Sequence, residues 1–241
     1  MRRNTQKLTT ENIPSLIKQL AIPASTGMFF NTMYNVVDTF YAGLISTQAI
    51  AALSLSFMIF FLIVGFGYGL SSAITALLGN AFGKKRYKLA SIYAHKGIIF
   101  IPLVGMALSA IGYFLAPSLF ILLGAEGEYL ETAITYINPI LFGTVFFMFN
   151  FSLNSILVAQ GDTKTYRNTL IFGFFANLVL NPIFIYGFLF IPAMGIKGIA
   201  IATVLIQVLN MFYMLYKVLQ TKLIHFEKPE YFLPNIKGYK E

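Results

Sequence analysis

Asn31, Asn35 and Asp38 recur at i, i+4 and i+7 with Tyr34 beside them, so on a helix all four fall on or next to one polar stripe. Asp38 is the single formal charge within the six long apolar spans of the chain. A lone carboxylate in hydrocarbon is costly and turns by default toward the protein interior or a water-filled cavity, where it can hold a proton or a cation such as Na⁺. The plainer alternative is an interfacial Asp near a helix end, hydrogen-bonded and inert. Asn177 and Asn181 repeat the i, i+4 spacing and run directly into Pro182; Asn150 and Asn154 repeat it again. Paired amides on an apolar helix need partners, because each unsatisfied amide is expensive in lipid. They serve either a ligand site or helix packing alone. With the Thr203 hydroxyl, Asp38, Asn177 and Asn181 can build one polar site from three helices, while Asn31, Tyr34, Asn35, Asn150 and Asn154 supply further polar side chains to the interior.

Catalytic chemistry finds no foothold. There are no paired carboxylates or metal-ligand spacings within the apolar spans, and no cysteine; His95 and His225 fall in segments read as solvated and cytoplasmic. No phosphate-binding Walker motif is present, so no enzyme, no cofactor and no direct use of ATP is expected. Gly65-Phe66-Gly67-Tyr68-Gly69 follows no strand and is read instead as part of a small-residue ridge, Gly65, Gly69 and Ala73, for close helix approach. Pro23, Pro102, Pro139 and Pro182 each interrupt a helical ladder; Pro23 and Pro182, on the helices of the polar site, are the better hinges.

The elements that must position these residues follow from composition. Of 241 residues, 57% are hydrophobic and 11% charged, with mean hydropathy +0.73; a soluble domain devotes about 25% to charge. The expectation is an all-α membrane bundle of six transmembrane helices, near 20–44, 50–80, 97–122, 132–158, 169–191 and 198–216. By depth, Asp38 and Thr203 then fall in one outer half, Asn177 and Asn181 bracket the midplane, and Asn150 and Asn154 lie deeper. Every Lys and Arg except Lys197 falls on one side of such a bundle, opposite Glu126, Glu128 and Glu131. The positive-inside rule makes that side cytoplasmic, with both termini there, in the plasma (cytoplasmic) membrane. The net charge of +8 is spread over juxtamembrane segments, which fits membrane lipid as a partner and not nucleic acid.

Leu20-Ala21-Ile22-Pro23, Tyr34-Asn35-Val36-Val37-Asp38-Thr39-Phe40-Tyr41-Ala42-Gly43 and Ile50-Ala51-Ala52-Leu53 resemble the start of the multidrug and toxic compound extrusion (MATE) family. Ala159-Gln160-Gly161-Asp162-Thr163-Lys164 resembles its loop after helix 4. Asn177-Leu178-Val179-Leu180-Asn181-Pro182 and Gly195-Ile196-Lys197-Gly198 through Thr203 resemble its helices 5 and 6. The resemblance implies one six-helix lobe, residues 1–220, of a two-lobe secondary antiporter that exports small organic, often cationic, compounds on a proton or sodium gradient. It puts Asp38, Asn177 and Thr203 at family cation-site positions. Asn181 stands where many members carry Asp. The tail 221–241 resembles the inter-lobe linker, so the chain reads as an N-terminal fragment or a half-transporter that pairs with a second lobe. A non-transporting subunit is one alternative; a lipid-linked oligosaccharide flippase of the same superfamily is another, although its pyrophosphate needs Arg or Lys in the cavity and the spans hold none.

Overall fold

The structure is a computed structural model that describes residues 11–224. Six helices follow one another: α1 Ile13–Ile45, α2 Thr47–Gly83, α3 Tyr87–Leu122, α4 Gly127–Val158, α5 Lys164–Tyr186 and α6 Ile196–Gln220. Short connections between consecutive helices force an up-and-down bundle. One end holds the starts of α1, α3 and α5, and the other holds the α1–α2, α3–α4 and α5–α6 turns. At the first turn Ser46 ends α1 and caps α2, its Oγ accepting from the Ala49 N–H at 3.0 Å. At the α4–α5 turn Gly161 takes a φ of +81° and the Asp162 carboxylate accepts from the Thr165 N–H at 3.0 Å. Pro14 sits in the first turn of α1, where its missing N–H costs nothing.

Apolar residues cover each helix on nearly every side, so burial is settled by who packs on whom. α4 is the hub, packed against α2, α3 and α6, and it is the most buried; α1 is the most exposed, and α3 is the least buried of the other five across its apolar stretch. α1 packs chiefly on α5, and α5 in turn on α6. One buried cluster ties the turn-rich end together through Ala42, Leu53, Phe120, Ile137, Ile185 and Ile199. A second, at the opposite end, joins Leu78, Ala90, Leu153, Met214 and Val218 with Leu223 and Ile224. Small residues set the closest approaches: the Cβ of an alanine at Gly67 would overlap the Phe151 ring, and one at Gly105 would lie 2.6 Å from Met148 Cγ.

Five helices, α2 to α6, combine the length and hydropathy needed to cross a membrane. α1 has the length, but Asn31, Asn35 and Asp38 within its apolar run lower its hydropathy. The helices also outrun the expected spans. α3 starts at Tyr87, so Lys88 and Lys96 ride on a helix rather than a loop, and α1, α4 and α5 each begin at least five residues early. Charge marks where hydrocarbon stops, not where a helix stops.

Three expectations are corrected. α5 ends at Tyr186, not near 191: Gly187 turns to φ +82°, and Phe188 and Ile191 exchange backbone hydrogen bonds at 2.9 and 3.0 Å in a tight reversal. Hydropathy alone does not separate an apolar turn from an apolar helix. Gly65, Gly69 and Ala73 lie exposed, and added Cβ atoms at the two glycines meet nothing; the close-packing glycine is Gly67. His95 is not solvated but fully buried on α3, its Nδ1 2.6 Å from the Ser91 carbonyl. Basic residues gather at the end holding the α1 start, with Lys197 and the three glutamates at the other. Within the expected tail 221–241, Leu223 accepts from the Ser91 hydroxyl at 2.7 Å; residues from His225 on lie outside the described residues, as do Arg2, Arg3 and Lys7.

Candidate functional site

Shortening α5 changes the level of its amides. Asn181 now stands five residues before the helix end, Asp38 seven before the end of α1, and Thr203 seven after the start of α6. At 1.5 Å per residue all three sit roughly 8–10 Å from the same end of the bundle. Asn177 is one turn further in. The expected split, with the amides at the midplane and Asp38 outside them, gives way to a shared level.

At that level the side chains meet. Asp38 Oδ1 accepts from Asn177 Nδ2 at 2.8 Å and from Asn181 Nδ2 at 2.9 Å. Asn181 Nδ2 also donates to Asn177 Oδ1 at 3.2 Å, so the i, i+4 pair is internally linked. The Tyr34 hydroxyl donates to Thr203 Oγ1 at 2.9 Å, which brings α6 to the same place. Asp38, Asn177, Asn181 and Thr203 are all buried, Asp38 at 4% exposure. Two N–H donors on one oxygen supply what a carboxylate needs away from water. Asn181 Oδ1 is buried with no hydrogen-bond partner. That orphaned acceptor, together with the oxygens of Asp38, Asn177 and Thr203, is the all-oxygen set a hard cation such as Na⁺ prefers. Among the described residues no three His, Cys, Asp or Glu side chains gather for a transition metal.

Beside the cluster opens a cavity of about 270 Å³ between α1, α2, α4, α5 and α6. Asn31, Tyr34, Asn35, Asp38, Asn150 and Thr203 line it; Asn154, Asn177 and Asn181 do not. Asn35 spends its amide on its own helix, donating to the Asn31 carbonyl at 2.9 Å. Aromatic rings fill much of the wall, among them Phe60, Tyr68, Tyr136, Phe147 and Tyr166. Asp38 is the one charged residue in the described lining. Pro23 and Pro182 lie inside α1 and α5, as a hinge requires. Gln207 and Asn210 were missed in the sequence, although with Thr203 they show on α6 the same i, i+4, i+7 signal that marked α1.

Long apolar helices packed around a buried carboxylate and an aromatic cavity define a multi-pass helical membrane protein. Residues 23–183 match the MatE family, and the chain belongs to it. It is 30% identical over 220 residues to a Bacillus subtilis protein described as "Probable multidrug resistance protein YpnP", covering 89% of this chain and 48% of that one. It is also 30% identical to "Multidrug resistance protein NorM" of Photobacterium profundum, over 92% of this chain and 46% of that one. A crystal structure of MATE in the bent conformation superposes with TM-score 0.87 at 28% identity, covering 98% of this chain and 52% of the other. The chain spans about half the length of the curated relatives it matches.

Proposed function

We propose that this chain is one lobe of a cation-coupled antiporter that exports organic cations, with H⁺ or Na⁺ as coupling ion. The observation that carries the reading is Asp38: the one charged group in the described lining of the cavity, buried, and held through one oxygen by Asn177 and Asn181. A cationic substrate entering the cavity competes for the same carboxylate as the coupling ion. When the ion leaves, the negative charge is free to bind substrate; when the ion returns, substrate is released. The rings of the lining suit a lipophilic cation. Asn181 in place of a second carboxylate leaves Asp38 to carry the exchange alone. Bending of α1 at Pro23 opens and closes the cluster, since α1 carries Asp38 and Tyr34 while their partners sit on α5 and α6. The relatives named as multidrug resistance proteins support the substrate class. Their greater length supports a second six-helix lobe as partner, and the basic end of the bundle is taken as cytoplasmic.

The test is Asp38→Asn, which keeps shape and a hydrogen-bonding group but removes the charge. In proteoliposomes under an imposed H⁺ or Na⁺ gradient, efflux of a fluorescent cation is expected to vanish while membrane insertion is unchanged. Transport that survives the substitution overturns the proposal.

A further inference from the structure

α6 turns Thr203, Gln207 and Asn210 toward the cavity. Thr203 belongs to the Asp38 cluster. Gln207, one turn and about 6 Å further along α6, belongs to a different polar group, shared with Asn150 of α4. Asn150 Nδ2 donates both to the Gln207 backbone carbonyl, at 3.0 Å, and to its side-chain Oε1, at 2.9 Å. The backbone acceptor is an oxygen in any assignment of the amides, so it fixes which way the Asn150 amide faces. Asn150 Oδ1 is thereby turned away from Gln207. It is buried and has no hydrogen-bond partner, on a residue only 5% exposed that lines the cavity. A buried carbonyl oxygen left unpaired works against folding, and proteins keep few of them without a use.

We propose that Asn150 and Gln207 form a second polar station of the cavity, which accepts an N–H or O–H donor of the transported compound. The ligand class is a flat aromatic cation with its charge toward Asp38 and a donor group about one helical turn away. The inference rests on the transport reading and adds to it the element that selects among cations. The wall around the two stations carries Tyr34, Tyr68, Phe147 and Phe151, which suits a planar ring system. No Lys, Arg or His occurs in the described lining, so neither station holds an anionic group. Asp38 attracts any cation of the right size. Asn150 rewards only those that bring a donor, because an aromatic cation without one leaves the oxygen unpaired.

A matched pair of dyes tests this on the purified 241-residue chain: ethidium, permanently charged with two aromatic amino groups, and the same phenanthridinium lacking both amines. Binding is measured by equilibrium dialysis in detergent. The unaltered protein is expected to prefer ethidium by about tenfold, the scale of one buried hydrogen bond. Asn150→Leu is expected to erase that preference, bringing the ratio of the two affinities to about one. Equal binding of the two dyes by the unaltered protein overturns the proposal by itself, whether or not the variant folds. A preference that persists in Asn150→Leu also overturns it, and in both cases binding of the cations leaves the transport reading standing. If the unaltered protein binds neither dye, both readings fall.

Discussion

The Tyr41 hydroxyl donates to the Leu178 carbonyl at 3.2 Å, and Leu178 is the residue whose carbonyl Pro182 leaves without its helical N–H. An interrupted helix in lipid needs an outside donor for that oxygen, and α1 provides it one turn beyond Asp38. The same face of α1 therefore grips the stretch 177–182 of α5 twice, through Asp38 to the two amides and through Tyr41 to the backbone between them.

Tyr41→Phe is expected to lower thermal stability in detergent by about 1 kcal/mol, the net value of one such bond in a membrane bundle. Pro182→Ala restores the N–H at position 182, so the Tyr41 substitution costs less in that background. A double-mutant cycle on unfolding midpoints checks this; additive losses exclude the link between Tyr41 and the proline.

Tyr34 and Thr203 share one hydrogen bond at 2.9 Å. Tyr34→Phe and Thr203→Val should each weaken cation binding, and the double variant should be no worse than the weaker single one. Isothermal titration with a fluorescent cation reads the three variants together. Losses that add show that the two groups act on the ligand independently.

Gly67→Ala forces the Phe151 ring aside and is expected to cost about 1–3 kcal/mol of stability. Gly65→Ala and Gly69→Ala meet open space and are expected to change it little. Midpoints of thermal unfolding for the three proteins decide it. A large loss at Gly65 would return the helix contact to the ridge expected from the sequence.

Gly187 combines φ +82° with a Cβ position 2.9 Å from the Ile191 carbonyl oxygen and the Ala193 nitrogen. Gly187→Ala is therefore expected to strain the reversal that ends α5, costing about 1–3 kcal/mol. Because this turn fixes the level of Asn177 and Asn181, cation affinity should fall with it. Intact affinity in a destabilised variant separates the turn from the site.

The residues of the Asp38 cluster were legible because polar groups are scarce in an apolar chain and their i, i+4 spacing names a face. Their level was not, because the turn after Tyr186 is built of Phe, Leu and Ile, as apolar as the helix before it. Gly65, Gly67 and Gly69 illustrate a second limit. Their spacing permits either register, and only the position of Phe151 on α4 shows that Gly67 faces the neighbour. His95 shows a third: beside Lys96 it reads as wet, yet it is fully buried, one turn after the Ser91 that holds the returning chain at Leu223. Gln207 and Asn210 were visible in principle. An amide on a helix whose partner lies 57 residues upstream announces nothing until the two helices are placed together.

The polarity of α1 bears on how the protein is made. α1 is made well before the helix that holds its carboxylate, since its amide partners lie 139 and 143 residues downstream. At about 5–20 residues per second, that interval is on the order of ten seconds. Until α5 arrives, Asp38 needs water or the insertion machinery beside it. The carboxylate cluster thus ties the order in which the helices are made to the order in which they can pack.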